Sequence, residues 1–215
     1  MPGAVTQEGT MGKVTASISV SLDGFVAGPG DGPDNPLGDR GERLHQWVYG
    51  LAGWRESHGL EGGERNQDSD LVEDAMARAG AFVMGRRMFD NGEEPWGDEP
   101  PFHGPVLVLT SSPREPLVKK GGTTFTFVTD GVEGAVAQAR EAAGEKDVSV
   151  AGGGQMIQQC VRAGLLDELQ LHLVPVLLGG GVPLFRDMGE ETTEFETARV
   201  LDSPGVTHLL LRPAR

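Results

Sequence analysis

Cysteine and aromatic residues are scarce in this chain of 215 residues, which has one cysteine, Cys160, and an aromatic content of 6%. A single cysteine excludes an intrachain disulfide, so the simplest expectation is a cytoplasmic protein. No apolar run approaches the ~20 residues that a membrane-spanning helix needs, so no membrane partner is expected. Residues 1–12 lack the apolar core of a signal peptide, and we expect them to form a flexible leader.

Basic residues are also few, with 18 Lys and Arg against 32 Asp and Glu and a formal net charge of −14. Nucleic-acid binding depends on clustered Lys and Arg that neutralise phosphates, so a nucleic-acid partner is not expected. The histidines lack the spacing of metal ligands, and we predict no metal site. An acidic chain can still hold an anionic cofactor through a few local arginines and backbone N–H groups.

Strand-like and helix-like patterns alternate along the chain from residue 13 onward. This alternation predicts an α/β fold with a mostly parallel central sheet, and the last two strand patterns predict an antiparallel C-terminal hairpin. A long strand is predicted over residues 168–178, with a bulge or an edge position at Pro175. Residues 28–66 are rich in Gly, Pro and Asp but hold both Trp47 and Tyr49, which predicts a substrate-side loop or lid within one domain, residues 13–215.

Three segments that follow predicted strands carry chemistry suited to phosphate. Gly85 to Arg87 offers two guanidinium groups, which pair with phosphate through several N–H donors. Thr110 to Ser112 offers three hydroxyl groups. Gly152 to Gly154 lets the backbone come close to a ligand just before a helix, whose first N–H groups attract anions. Each segment is also compatible with an ordinary turn, but together at strand ends they favour a dinucleotide site.

These segments also carry a family resemblance, which extends from about residue 13 to residue 213. Five stretches, in the same order, resemble the dihydrofolate-reductase-like family, and the closest branch contains the reductase domain of bacterial riboflavin biosynthesis: residues 21–28, 83–89, 107–112, 150–154 and 173–181. The resemblance implies a three-layer fold, NADPH as cofactor and reductase activity. It also implies a homodimer, for which the strand over residues 168–178 is a plausible interface.

The resemblance further implies a set of cofactor contacts. They comprise Ser19, Val26, Ala27, Gly85, Arg86, Arg87, Met88, Thr110, Ser111, Ser112, Gly152, Gly153, Gly154, Gln155, Met156 and Ile157. Met88 stands where dihydrofolate reductases usually carry a threonine, which removes one phosphate-binding hydroxyl. The choice between NADPH and NADH is therefore left open.

Two carboxylates are candidates for the chemical step. Dihydrofolate reductases carry an acid near the start of the first helix, and the matching region holds Asp68 and Asp70, of which Asp70 is our catalytic candidate; helix capping is the alternative role there. Asp23 is the second candidate, and its alternative role is that of a turn residue. Trp47 and Tyr49 are candidates to stack on a flat substrate or, alternatively, to anchor the long loop.

The resulting hypothesis is an NADPH-dependent reductase that transfers hydride to a small flat heterocycle. The heterocycle would be pteridine-like or pyrimidine-like, as for dihydrofolate reductase or 5-amino-6-(5-phosphoribosylamino)uracil reductase. Two alternatives stay open: a dimeric nucleotide-binding protein without catalysis, and a flavin-dependent reductase that uses FMN.

Overall fold

The computed structural model describes residues 12–190 and 192–214, so all but the last residue of the predicted leader lies outside the described residues. The strands are β1 (Val14–Ser21), β2 (Phe25–Ala27), β3 (Ala79–Gly85), β4 (Pro105–Leu109), β5 (Leu117–Val118), β6 (Thr124–Val128), β7 (Asp147–Gly152), β8 (Glu168–Val174), β9 (Val182–Pro183), β10 (Phe195–Ser203) and β11 (Val206–Pro213). The α-helices are α1 (Ala52–Ser57), α2 (Gln67–Arg78), α3 (Arg86–Gly92), α4 (Gly131–Ala143) and α5 (Gly154–Arg162). Two 3-10 helices cover Gly41–Leu44 and Lys120–Gly122.

The main sheet has nine strands in the order β10-β11-β8-β1-β7-β3-β4-β6-β5. The six strands from β8 to β6 are mutually parallel, whereas β10, β11 and β5 join as antiparallel neighbours. The predicted parallel sheet with an antiparallel C-terminal hairpin is confirmed. In the part of the chain that the structure describes, no helix is long and apolar enough to cross a membrane.

Both faces of the sheet are covered by helices, as alternate residues of β3 show. Ala81 and Val83 pack into the core that includes α4 and α5. Phe82 and Met84 point to the opposite face, where they join Phe89 of α3 in a second core. Burial of both faces explains why β3 is continuously apolar, since a parallel strand between two helical layers has no solvent face. The molecule therefore has the three layers that the family resemblance implied.

The strand predicted over residues 168–178 is shorter than expected, because β8 ends at Val174, immediately before Pro175. Proline has no N–H to donate to a neighbouring strand, so it ends the ladder here rather than producing a bulge. β8 also lies inside the sheet, between β1 and β11. Its backbone edges are therefore both paired, so the predicted edge position is wrong, and the dimer stays a prediction.

Helix α2 begins with a cap that differs from the alternative considered for the acidic residues at its start. Asn66, rather than Asp68 or Ser69, is the N-cap, and its Oδ1 accepts hydrogen bonds from the backbone N–H groups of Asp68 (3.0 Å) and Ser69 (3.1 Å). An Asn at this position satisfies the amides of the first turn as well as an Asp or Ser does. The Asp68 side chain is thereby left free for other contacts.

The base of the long loop is closed by the glycine junction, which consists of Gly28, Gly38 and Gly181. A Cβ on Gly28 would lie 1.8 Å from the carbonyl oxygen of Asp39, and one on Gly181 would lie 2.0 Å from that of Ala27. Only glycine allows backbones to approach this closely. Two backbone hydrogen bonds of 2.8 Å join the start and the end of this part of the loop. In one, the Gly28 N–H donates to the Leu37 carbonyl oxygen; in the other, the Asp39 N–H donates to that of Pro29.

Candidate functional site

A single cleft of about 1420 Å³ opens at the carboxyl ends of β7, β3 and β4, which are neighbours in the sheet. Ligands of parallel α/β sheets bind at such ends. The cleft is lined by Ser19, Val26, Ala27, Gly85, Arg86, Arg87, Met88, Thr110, Ser111, Ser112, Gly152, Gly153, Gly154, Gln155 and Met156. The structure thus brings together every residue expected at the cofactor except Ile157, which is fully buried in the core beneath α5.

The glycine turn between β7 and α5 forms one wall of the cleft. The peptide bond between Gly152 and Gly153 is cis. Among the described residues, no side chain caps α5 at Gly153, so the first N–H groups of this helix remain available to an anion. A Cβ placed on Gly153 would meet no heavy atom within 4 Å, which shows that open space lies beside the turn. The turn therefore offers both donors and room for a phosphate group.

The two arginines of the cleft are each paired with a carboxylate. Arg86 Nε donates to Asp90 Oδ1 at 2.7 Å, within the same helix. Arg87 donates to Asp31 Oδ1 at 2.5 Å and to the Asp31 carbonyl oxygen at 3.0 Å, which ties the long loop to the start of α3. The Arg87 side chain is 64% exposed, whereas that of Asp31 is 10% exposed. A guanidinium has five N–H donors, so both arginines keep donors for a ligand.

The hydroxyl-rich segment after β4 forms a compact turn at the far end of the cleft. Thr110 Oγ1 accepts a hydrogen bond of 3.1 Å from the backbone N–H of Ser112, and Ser111 and Ser112 are exposed. Gly131, at the start of the 13-residue helix α4, lines the cleft beside this turn. Hydroxyl groups next to a helix N-terminus are suited to a second phosphate. The donor set of the whole cleft therefore fits a ligand with more than one phosphate group.

Aromatic and polar side chains line the other end of the cleft. Trp47 lies there as predicted; its Nε1 donates to Ser19 Oγ at 3.1 Å, and its ring lies 4.7 Å from that of His172. His45 and Trp54, which the sequence analysis did not select, also line this end. Tyr49 does not line the cleft but packs behind it, with its ring 5.0 Å from that of Trp54. The position of Tyr49 therefore agrees with its alternative role, in which it anchors the long loop.

His45 has an unusual environment in this aromatic end. Its Nδ1 is buried and has no hydrogen-bond partner among the described residues. Burial lowers the pKa of His45, so its imidazole is neutral at physiological pH. The backbone of Gly41, four residues earlier, favours the protonated ring, but the effect of burial is larger.

Neither predicted catalytic carboxylate reaches the cleft. Asp23 accepts hydrogen bonds from Ser21 Oγ and from the backbone N–H groups of Leu178 (3.1 Å) and Gly179 (2.7 Å), and the Ser21 bond is the main reason that its pKa is lowered. It therefore joins the turn after β1 to the segment after β8, and is a structural residue. Asp70 is exposed on α2 and does not line the cleft either. The acidic side chain that turns inward from the start of α2 is Asp68.

Asp68 belongs to a row of polar side chains that leads to the aromatic end of the cleft. Its Oδ1 lies 3.2 Å from His208 Nε2, and His208 Nδ1 lies 2.7 Å from His172 Nδ1. His172 Nε2 in turn lies 2.8 Å from the Oγ of Ser17, which lines the cleft together with His172. Sequence reasoning named Asp68 but missed Ser17, His172 and His208, because a histidine in a strand gives no local sign of its partners.

Positive charge is confined to the phosphate-like end. Among the lining residues in the described part of the chain, Arg86 and Arg87 are the only Lys or Arg side chains. Arg55 and Arg65 belong to the long loop but are held elsewhere, Arg55 by the carbonyl oxygen of Glu61 and Arg65 by the carboxylates of Glu56 and Glu73. Residues 12–190 and 192–214 contain no group of three His, Cys, Asp or Glu side chains that could hold a metal ion.

Two curated relatives from Bacillus subtilis (strain 168) are similar in sequence. The uncharacterised protein YwjB is 30% identical over 67 residues, which is 31% of this chain and 38% of that protein. The uncharacterised protein YyaP is 26% identical over 183 residues, which is 82% of this chain and 81% of that protein. The match thus spans less than half of YwjB but most of YyaP.

Solved structures share the fold. A protein from Shewanella sp. PV-4 that is named for riboflavin biosynthesis superposes with a TM-score of 0.66 at 24% identity, covering 94% of this chain and 99% of that one. The deaminase/5-amino-6-(5-phosphoribosylamino)uracil reductase of Thermotoga maritima gives 0.60 at 14% identity, covering 95% and 57%. The Enterococcus faecalis dihydrofolate reductase, solved with NADP(H), gives 0.52 at 15% identity, covering 95% and 98%. These similarities confirm the predicted dihydrofolate-reductase-like fold.

A family model, the RibD C-terminal domain, matches residues 12–209. The match covers the sheet except for the last four residues of β11, both helical layers and all of the cleft. It confirms the family that the five sequence stretches indicated. It also agrees with the prediction that the protein is an oxidoreductase. The chain belongs to the RibD C-terminal domain family.

Proposed function

We propose that this protein is an NADPH-dependent reductase that transfers hydride to a small, flat, uncharged heterocycle. The observation that carries the proposal is the division of one cleft into two chemically different ends. One end has hydrogen-bond donors suited to phosphate, which follow three adjacent strands. The other end has aromatic walls and neutral histidines. A dinucleotide with a reactive ring at one end matches this division.

At the phosphate end, the glycine turn and the first turn of α5 would hold the pyrophosphate of the cofactor. Arg86 and Arg87 would add charge-assisted hydrogen bonds. The hydroxyl-rich turn over Thr110 to Ser112 would take the 2′-phosphate, which distinguishes NADPH from NADH. Met88 offers no hydroxyl there, and its Sδ would lie 3.2 Å from a Cβ on Gly152, so it packs against the glycine turn.

The aromatic end would bind the substrate. Trp47 and Trp54 offer flat apolar surfaces for a heterocycle. No cationic side chain from the described residues lines this end, so a substrate phosphate would lack a partner. A charged group buried without a partner is unfavourable, and this argues against a phosphoribosyl substrate.

The protein's own contribution would be binding, orientation and exclusion of water. The bound cofactor supplies the hydride. The long loop, held by Arg87 and Asp31, covers the cleft and places Trp47 beside Ser19 on β1. Fixing two flat rings face to face in this way supplies much of the rate enhancement in a hydride transfer.

The test begins with fluorescence titration of the purified protein with NADPH, NADH and FMN. We expect micromolar binding of NADPH, weaker binding of NADH, and a loss of about tenfold in NADPH affinity in Arg86→Gln. Arg78→Gln is the matched control, since Arg78 lies outside the cleft and is 58% exposed. Equal losses in both variants, or no binding of any nucleotide, would contradict the proposed site.

The substrate is tested next with matched acceptors. NADPH oxidation is followed with 7,8-dihydrobiopterin, and with 5-amino-6-(ribosylamino)uracil with and without its 5-phosphate. We expect turnover with an uncharged acceptor, and a higher kcat/KM for the dephosphorylated uracil than for its phosphate. A preference for the phosphorylated uracil would contradict the uncharged substrate. It would favour 5-amino-6-(5-phosphoribosylamino)uracil, the compound in the name of the Thermotoga maritima reductase.

A further inference from the structure

A row of four polar side chains runs from the cleft into the protein interior. Ser17 is exposed and lines both the cleft and a smaller neighbouring cavity, whereas His172, His208 and Asp68 are 5%, 1% and 6% exposed. The three gaps between them are 2.8 Å, 2.7 Å and 3.2 Å, so each is spanned by one hydrogen bond. The register of β8 and β11 places His208 directly opposite His172, which fixes the middle gap.

Each ring in the row carries one proton. Burial, followed by the neighbouring His208 and His45, lowers the pKa of His172 to about 3, and burial also lowers the pKa of His208 despite the nearby Asp68. A neutral imidazole has one N–H donor and one bare nitrogen acceptor. Each histidine can therefore donate toward one neighbour while it accepts from the other.

The protons of the row can be arranged in two ways, in which the hydrogen bonds point in opposite directions along the row. In the first, Ser17 donates to His172 Nε2, His172 Nδ1–H donates to His208 Nδ1, and His208 Nε2–H donates to the Asp68 carboxylate. In the second, Asp68 carries a proton and donates to His208, and every bond in the row points toward the cleft. The two states differ by one proton, and both imidazoles are neutral in each.

We propose that Ser17, His172, His208 and Asp68 form a proton relay that protonates the substrate, an inference that rests on the proposed reductase function. Hydride adds to the carbon of a C=N or C=O bond of the acceptor, and the π electron pair moves onto the heteroatom. The heteroatom takes the Ser17 proton, Ser17 takes the proton on His172 Nε2, and His172 Nδ1 takes the proton of His208 Nδ1. His208 Nε2 finally takes the proton of Asp68.

This sequence consumes one hydride and one proton, as the reduction requires, and returns the row to its first state. In this relay Ser17 would be the catalytic residue, because it would contact the substrate, and the other three would act through it as positioning residues. The proton that returns to Asp68 comes from solvent. Ser203 Oγ, which donates to Asp68 Oδ1 and accepts from the exposed Gln67 at 2.9 Å, lies between Asp68 and the surface. A positioned proton donor of this kind contributes to the rate without ionising the buried rings.

Trp47 connects the relay with the substrate wall. Its ring lies 4.7 Å from that of His172 and 5.0 Å from that of His208. It therefore holds both imidazoles in the orientation that the hydrogen bonds need. The nearby charged or titratable groups are His45 beside His172 and Arg199 beside His208.

The first test needs no ligand. Proton-detected ¹⁵N spectra of histidine-labelled protein report the tautomer and charge of each ring. Near neutral pH, we expect His172 to be protonated at Nδ1 and His208 at Nε2, with both rings neutral. A cationic ring would overturn the relay. Tautomers that do not let both rings donate in the same direction along the row would also overturn it.

The second test measures turnover with the uncharged acceptor that the wild type reduces best. Ser17→Ala and Asp68→Asn are each expected to lower kcat by about 100-fold, and D2O should slow them more than it slows the wild type. NADPH affinity should stay unchanged. Ser69→Ala is the control, since it removes a buried hydroxyl next to Asp68 but outside the row.

The outcomes separate the two proposals. Wild-type activity that persists in both relay variants would overturn the relay and leave the reductase standing. If the wild type bound no nucleotide and reduced no acceptor, the reductase proposal would fail, and a proton relay toward its substrate would fail with it, whatever the tautomers. Because Ser17 is exposed on the cleft floor, its variant also remains informative if Asp68→Asn fails to fold.

Discussion

Replacement of Asp31 by asparagine is expected to strengthen cofactor binding. In the free protein the Asp31 carboxylate occupies Arg87 at 2.5 Å, and would compete with a cofactor phosphate for the same guanidinium. Exposed ion pairs contribute about 0.2–1 kcal/mol, and the pair lies at the upper end because Asp31 is mostly buried. Removal of the competing charge should therefore lower the Kd for NADPH by up to about fivefold.

The opposite effect is expected when Arg87 is replaced by glutamine. Loss of a charge-assisted hydrogen bond to phosphate should raise the Kd by about tenfold, since Arg87 is largely exposed and part of its charge is screened. In the double variant, the Asp31 substitution should have no further effect, because the guanidinium for which Asp31 and the phosphate compete is gone. This non-additivity is the signature of a shared contact.

The assay is the NADPH titration at low and high salt, with Asp34→Asn as the control. Asp34 lies in the same loop, is exposed and does not line the cleft, so its substitution changes the net charge equally without touching Arg87. The competition argument would be refuted if Asp31→Asn weakened binding, or if Asp34→Asn strengthened it by the same factor. Retention of the Asp31 effect in the Arg87→Gln background would also refute it.

Two further predictions concern stability and reactivity. Glu168 is buried and accepts hydrogen bonds from Lys13 Nζ (2.7 Å) and Arg212 (2.9 Å and 3.1 Å); burial alone would raise its pKa, but these two cations hold it below the ordinary value. Glu168→Gln should lower the free energy of unfolding in urea by about 2 kcal/mol at neutral pH. Because the folded pKa is lower than the unfolded one, this difference should close as the pH falls through the folded pKa, and a constant difference would contradict the assignment. Cys160 is fully buried with its pKa raised to about 12 by burial, so an aromatic disulfide reagent should modify it only after unfolding, and rapid labelling of the native protein would show that α5 opens.

The phosphate end of the cleft could be predicted from sequence because its signals are local. Glycines, arginines and hydroxyl residues stand directly after apolar strands, and parallel topology carries those strand ends to one edge. The long loop was recognisable by its composition, and Trp47 by its presence in that loop. These inferences need only neighbours in sequence and one rule about sheets.

The relay could not be predicted, because its members meet only through tertiary structure. His172 and His208 lie within two strands whose register puts them opposite each other, and single strand patterns do not specify register. Asp68 was interpreted as a helix cap, because Asn66, two residues earlier, was not considered for that role. The selected carboxylate, Asp70, lies two residues from Asp68 but is exposed and does not line the cleft, so its catalytic role stays a prediction that the geometry does not favour.

The glycine junction has a mechanical consequence for the long loop. Backbone contacts at Gly28, Gly38 and Gly181 close the first part of the loop into a ring whose neck has no space for a methyl group. We expect a ring with such a neck to move as one rigid unit, and among the described residues the contact between Asp31 and Arg87 is its only ion pair with the rest of the protein. Cofactor entry would then need one latch to open rather than a whole segment to unfold, and side chains at the tip of the ring could change without loosening its neck.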